Sequence, residues 1–378
     1  AFAVDARYDV HRFLGSGAHG TVCSAIDTET KQRVAIKKLS NVSTPEEGMR
    51  LRREIKVLSA VSHPNVLKLR TVLTPADPAT FTDVYLVTDL LDVDLHRVIN
   101  GSQPLTDDHY RYFLVQILRA LKYLHSGNIV HRDVKPANIL ATDTCAVVLC
   151  DFGLARAVDT TSLTTHVCTR WYRAPELLVM CSHYAFEVDL WSTGCVLAEM
   201  LNRKPLLTGN NYLHQLHLAV QLIGSPSEAD YEGLPPEAVT YLRSLKPTPP
   251  QDFSEVFPQA KPAAIDLVRR FLVFRPAGRI TAAEALRHPY LSRLQDPAKE
   301  TVCGVQHRFI EEITACPDES STRLALLEEI YRVQTAPAGE GQPKRNVPVS
   351  TSEAPAANTP PELHPSPRES DVDSPVAP

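Results

Sequence analysis

The sequence predicts an α+β fold in two lobes, a small antiparallel β lobe at the N-terminal end and a larger, mainly helical one after it. Short runs at 8–14, 21–27, 34–37 and 84–88 have the residue types and length of strands. Between them, 45–59 carries apolar Met49, Leu51, Ile55 and Leu58 and reads as the one main helix of the small lobe. Farther on, Tyr112, Phe113, Val115, Leu118, Leu121 and Leu124 recur at helical spacing, which predicts an amphipathic helix over 107–126. A chain of 378 residues, 43% hydrophobic, can bury two such cores and still carry extensions. Its formal charge of -5 is mild and points to neither nucleic acid nor a membrane surface as partner. No apolar run approaches the roughly 20 residues that span a bilayer, and residues 1–7 lack a basic leader, so the chain reads as soluble. It begins at Ala1 rather than Met, which reads as trimmed or partial. Eight cysteines are scattered singly, without metal-ligand spacing or a disulfide framework, which favours reduced thiols.

One stretch organises the rest: His131-Arg132-Asp133-Val134-Lys135-Pro136-Ala137-Asn138, followed by Asp151-Phe152-Gly153. Fully extended, that segment would hold its acids tens of ångströms apart, on the order of 3.3 Å per residue. The run 146–150 reads as a strand pairing back on 138–140, a hairpin that returns Asp151 to the level of Asp133. Two carboxylates and an amide gathered in this way are hard oxygen donors of the kind Mg²⁺ takes together with substrate phosphates. The paired pattern H-R-D-x-x-x-x-N and D-F-G resembles the catalytic and metal loops of protein kinases.

That resemblance implies a bilobal kinase fold with ATP and Mg²⁺ between the lobes. It makes Asp133 the acceptor of the proton from the attacking hydroxyl, Asn138 and Asp151 the metal ligands, and Lys135 a neighbour of the γ-phosphate. The turn Gly15-Ser16-Gly17-Ala18-His19-Gly20, with Leu14, Thr21 and Val22 flanking it, lies between two strands. Glycines there let backbone amides approach phosphate oxygens. Opening a hairpin rather than a helix, it argues against a dinucleotide fold. His19 stands where related kinases usually carry an aromatic residue. Val34-Ala35-Ile36-Lys37 resembles the kinase strand whose Lys grips the α- and β-phosphates, and Glu54 is its expected ion-pair partner. By the same resemblance Thr88 is the gatekeeper, Asp89 and Leu91 bind adenine through their backbone, and Asp94 holds the ribose. Ala35, Leu140 and Cys150 line the nucleotide site.

The resemblance covers roughly residues 8 to 290, with Ala174-Pro175-Glu176 and Arg279 as a structural ion pair and Asp189 as the anchor of the catalytic loop. Thr169-Arg170-Trp171-Tyr172-Arg173 is similar to the segment that receives a proline after the target Ser or Thr in cyclin-dependent and mitogen-activated kinases. Proline lacks an amide hydrogen, so a site that leaves this donor unsatisfied penalises every other residue. The insert around 205–260 and the extension after His288-Pro289-Tyr290-Leu291 resemble the mitogen-activated family, with a cyclin-dependent-like kinase as the alternative and a pseudokinase scaffold as the rival from another class. The division expected is a small lobe 1–88, hinge 89–94, large lobe 95–291, a wrapping extension 292–334 and a disordered, Pro- and Ser-rich tail 335–378.

The activation segment departs from that family. Thr164-Thr165-His166 replaces Thr-x-Tyr. Arg50, Arg53, Arg132 and Arg156 match the cluster that binds phosphothreonine, which predicts activation through Thr164 alone, by an upstream kinase or by autophosphorylation. Arg170 and Arg173, which in the family also meet phosphotyrosine, lose that partner. Asp296 and Glu300 match an acidic docking patch for basic partner motifs, weakened by Lys299. The implied protein is a monomer of the cytoplasm and nucleus acting on protein substrates with Ser/Thr-Pro sites.

Overall fold

The computed structural model describes residues 4–17, 20–157, 170–181, 184–307 and 316–335. Its small lobe is built from β1 (Tyr8–Gly17), β2 (Gly20–Asp27), β3 (Arg33–Leu39), helix α1 (Pro45–Ala60), β4 (Leu69–Val72) and β5 (Val84–Asp89). The five strands form one antiparallel sheet in the order β1-β2-β3-β5-β4. Val34, Ile36, Leu86 and Val87 are buried at the centre, as alternation on a sheet covered on both faces requires. A Pro at the first turn and Glu46 and Glu47 beside it favour the start of α1.

The chain crosses between lobes through Leu90–Asp92 and short β6 (Val93–Asp94), which runs directly into α2 (Leu95–Asn100). Half of the hinge expected over 89–94 is thus strand, with β5 extending through Asp89 and Val93 and Asp94 pairing with Ala141 and Leu140. Next come α3 (Asp107–Ser126), β7 (Ile129–Val130), β8 (Ile139–Ala141), β9 (Val147–Leu149) and β10 (Arg156–Ala157). Helix α3 occupies the span its periodicity predicts, capped by Thr106 and His109 in a reciprocal box. The large lobe continues with α4 (Pro175–Leu178), α5 (Glu187–Asn202), α6 (Tyr212–Ile223), α7 (Pro236–Ser244), α8 (Phe253–Val256), α9 (Pro262–Phe271) and α10 (Ala282–Leu286). After it α11 (Glu319–Thr335) packs against α1 in the small lobe.

Helix α5 is buried on all sides from Val188 to Met200, the signature of a central helix. It approaches α9 so closely that a Cβ on Gly194 would lie 2.6 Å from Phe271. The position of α5 matters to the site because its Asp189 reaches up into the catalytic loop. Among the described residues, no helix is long and apolar enough to cross a membrane.

Candidate active site

The hairpin inferred from the sequence is present. Strand β8 pairs with β9, Ile139 opposite Leu149, and the amide of Cys150 donates to the Asn138 carbonyl at 3.0 Å. At its open end the backbone turns sharply: Arg132 and Asp151 both lie in the left-handed region, at φ 69° and 63°. Few non-glycine residues hold that conformation, and each such residue costs about 1–3 kcal/mol that the surroundings must offset. For Arg132 the offset is visible. Asp189, fully buried, accepts the amides of His131 at 2.9 Å and Arg132 at 2.8 Å, and also His125 Nε2 at 2.9 Å. Burial alone would raise the Asp189 carboxyl. The His125 hydrogen bond and charge, with the His131 amide, outweigh it and hold the carboxyl below its usual range.

Held from beneath, the loop presents Asp133. Its Oδ2 accepts from Lys135 Nζ and from Asn138 Nδ2, both at 2.7 Å, while Asn138 Nδ2 also donates to the Asp133 carbonyl at 2.9 Å. Spending its nitrogen this way leaves the Asn138 amide oxygen on the opposite edge, an acceptor available to a cation. His131 is locked behind the loop, its Nε2 3.0 Å from the Cys150 carbonyl and its ring 4.8 Å from that of Phe152. Both side chains are buried.

From the other lobe β3 delivers Lys37, opposite Val22 on β2 and Leu86 on β5. Its ammonium donates to Glu54 Oε1 on α1 at 2.8 Å. Burial would lower its pKa; the charges of Glu54 and Asp151 and the Glu54 hydrogen bond outweigh that, so it is raised and Lys37 stays cationic. Cys150 is the converse. Burial and the Asp151 charge push its thiol well up, and Lys37, Glu54 and Lys135 all bear on it. The charges of Lys37, Glu54, Asp151 and Lys135 thus all reach Cys150, the residue that joins β9 to the metal loop.

The turn before Lys37 fits the expectation of a hairpin. Gly17 pairs with Gly20, and Gly20 has φ 118° with no room for a Cβ against the Lys38 carbonyl. Leu14, Gly15, Ser16, Thr21 and Val22 lie on these two strands, whereas Ala18 and His19 fall outside the described residues. Ala35 stands opposite Thr88, whose buried side chain donates to the Asp89 carbonyl at 3.3 Å. Leu140 is half-buried on β8 and Leu91 half-buried in the crossing. Asp94 ends the crossing, and its Oδ1 caps α2 by accepting the Arg97 amide at 2.8 Å.

Two of the arginines predicted to receive a phosphate lie beside the metal loop. Arg50 lies 3.5 Å from the position a Cβ on Gly153 would take, and Arg132 donates to the Leu154 carbonyl at 3.3 Å while stacking on Tyr184. Arg53 is buried in α1. The backbone of Arg156 pairs with Val130. Thr164, Thr165 and His166 lie outside the described residues. Of the docking acids, Asp296 is paired with Lys299 and Glu300 with Lys122, each at 2.9 Å. Lys299 thus contacts one of the very acids it was expected to offset.

The partners of Tyr172 and Gln215 were not anticipated, whereas that of Glu176 was. Tyr172 donates to buried Glu199 at 2.6 Å and its carbonyl accepts from Ser192. Gln215, fully buried, accepts the Gly209 amide at 2.8 Å and donates to the Trp171 carbonyl at 3.0 Å. The Glu176–Arg279 pair is present as two hydrogen bonds of 2.7 Å or less, both groups buried.

Two hard oxygen donors, a half-buried, charged lysine and a carboxylate gripped by a second lysine suit a phosphorylated nucleotide with a divalent cation. Among the described residues no three His, Cys, Asp or Glu side chains form a metal cage. The family model described as the protein kinase domain matches residues 8–291. Among curated proteins, Mitogen-activated protein kinase 4 of Oryza sativa subsp. japonica is 48% identical over 301 residues, 79% of this chain and 82% of the relative. Mitogen-activated protein kinase 7 of Arabidopsis thaliana is 48% identical over 300 residues, 78% of this chain and 82% of the relative. Mitogen-activated protein kinase 6 of the same plant is 44% identical over 319 residues, 84% and 81% of the two chains. With a matched kinase domain and relatives this similar over four-fifths of their length, the chain belongs to the mitogen-activated protein kinases, serine/threonine protein kinases that use ATP.

Proposed function

We propose that this chain transfers the γ-phosphoryl group of ATP to a Ser or Thr followed by proline, and that one phosphate, on Thr164, activates it. The observation that carries the chemistry is that the Lys37–Glu54 pair, joined at 2.8 Å, and Lys135 of the Asp133–Lys135–Asn138 cluster, joined at 2.7 Å, both act electrostatically on Cys150 beside Asp151. Lys37 anchors the α- and β-phosphates and Glu54 aims it. Asp133 takes the proton of the incoming alcohol while Lys135, 2.7 Å away, balances charge at the γ-phosphate. Asn138, through its amide oxygen, and Asp151 would hold Mg²⁺, which when bound neutralises charge on the phosphates.

Thr164 activation is supported by the approach of Arg50 and Arg132 to residues 153 and 154, where an anion in the activation segment would draw α1 and the catalytic loop together. Protein substrates and an upstream kinase, or autophosphorylation, are the partners this implies. Docking of basic motifs at Asp296 and Glu300 has to compete with Lys299 and Lys122 and is correspondingly weak.

The test is Mg·ATP-dependent labelling of a Ser-Pro substrate. Asp133→Asn keeps the side-chain shape but cannot accept the proton, so labelling should fall by about 10²-fold or more. Labelling equal to wild type would place the chemistry elsewhere. Thr164→Ala should remain at the basal level under conditions that activate the wild type.

A further inference from the structure

Arg170 and Arg173 flank the short turn Arg170–Tyr172, and both reach the same ring. Arg173 donates from Nη1 to the Tyr212 hydroxyl at 2.9 Å. The guanidinium carbons of Arg170 and Arg173 stand 5.4 and 5.7 Å from the Tyr212 ring centroid. Two like charges near one ring repel, and the attraction of each to the aromatic ring offsets part of the repulsion. Tyr212 is itself held. It is the first residue of α6, behind Asn211, whose side chain caps the helix by accepting the His214 amide at 2.8 Å.

The same short stretch of the insert takes hold of the turn at three more points. The Asn210 carbonyl accepts from Arg170 at 3.1 Å, the Gly209 carbonyl from Trp171 Nε1 at 3.3 Å, and Gln215 donates to the Trp171 carbonyl. Tyr172 points the other way, to Glu199 and Ser192 on α5. The turn is thus suspended between α5 and the start of α6, with Tyr212 on both of its arginines.

We propose that Tyr212 is a positioning residue for the kinase reaction: by holding Arg170 and Arg173 it keeps the 170–173 turn in the shape that selects proline after the target residue, without a second phosphate on the activation segment. The inference rests on the proline-directed reading above. It accounts for a chain that has His166 where the family has tyrosine, because the two arginines have a fixed aromatic partner inside the large lobe.

The experiment uses the full chain, wild type, Tyr212→Phe and Tyr212→Leu, matched for phosphate content by mass spectrometry. Steady-state kinetics are measured on a peptide pair that differs only in Pro or Ala after the target Ser. The Leu variant, lacking ring and hydroxyl, should lose about tenfold in the ratio of kcat/KM for Pro over Ala, chiefly through KM for the Pro peptide, with KM for ATP unchanged. The Phe variant keeps the ring and should lose about threefold. A purely structural role would depress both peptides equally and leave the ratio in place. A ratio equal to wild type in the Leu variant overturns the inference; if that variant does not fold, the Phe ratio decides in the same two senses. A wild type indifferent to proline overturns the proline-directed reading and this inference with it, whereas a selective wild type with equally selective variants overturns Tyr212 alone.

Discussion

Lys37 is half-buried, and burial alone would lower its pKa; it keeps the charge because Glu54 bonds it at 2.8 Å and Asp151 adds to the field. Raised above the ordinary value of about 10.4, its pKa contributes stability that is fully present below that pH and lost as pH climbs through the folded-state value. Glu54→Gln removes the charge and keeps the shape. Its kcat/KM for ATP should fall about 10- to 100-fold, or about 1.4–2.8 kcal/mol. Its activity should also decline at alkaline pH before that of the wild type, and coincident alkaline limbs would show that Glu54 does not sustain the charge. Residues such as Lys37, Asp133 and Asn138 were legible in the sequence because a local backbone shape fixes each within its motif. Tyr212 and Gln215 were not, because their partners lie some 40 residues away and no spacing rule connects them. Asp94 carries two signals at once: a motif position that suggests ribose, and an Asp directly before a helix, which caps α2.

Helix α1 carries Glu54, so whatever seats α1 bears on the site, and α11 is pressed along it. Lys56 pairs with Glu329 at 3.3 Å, and Arg332 donates to Ser59 Oγ at 3.1 Å. At Gly48 the two helices approach so closely that a Cβ would strike the Thr322 methyl and lie 2.9 Å from the Val42 carbonyl. Alanine in a helix interior ordinarily gains roughly 1 kcal/mol over glycine, but overpacking costs about 1–3 kcal/mol. Gly48→Ala should therefore be destabilising by about 1 kcal/mol in chemical denaturation, and adding Thr322→Ser, which deletes the methyl, should recover part of the loss. A more stable Gly48→Ala protein would mean that α11 yields freely. The span of α3 was readable because its apolar stripe is long and its start is signalled by Thr106-Asp107-Asp108. Helix α11, within the extension expected over 292–334, runs from Glu319 to Thr335. Its ends are polar, and their helical state is settled by packing on α1 rather than by periodicity.

Across the whole molecule, the large lobe acts as a base on which the catalytic loop is mounted, and Asp189 is the mounting point. It ties α5 at the centre of the core to α3 through His125 and to the loop through two amides. Its carboxyl is held below the usual range against the effect of burial, so its contribution is present above the unfolded value of about 3.9 and is lost as pH falls through the folded-state pKa. Asp189→Asn keeps the volume but trades one acceptor oxygen for a donor facing N–H groups. At least one buried amide then lacks a partner, at a cost of about 1–3 kcal/mol. Arg132, which adopts a left-handed conformation at φ 69°, loses part of what holds it there. The loop should relax while the small lobe, with its own core and the Lys37–Glu54 pair, stays intact. The expected result is a fall of about tenfold or more in kcat with KM for ATP within about twofold. Faster amide hydrogen exchange should be confined to 131–138, and the acid limb of the stability curve should flatten below about pH 4. If kcat is lost but the exchange of 131–138 is unchanged, Asp189 does not work by holding the loop, and its coupling to catalysis must run through His125 and α3.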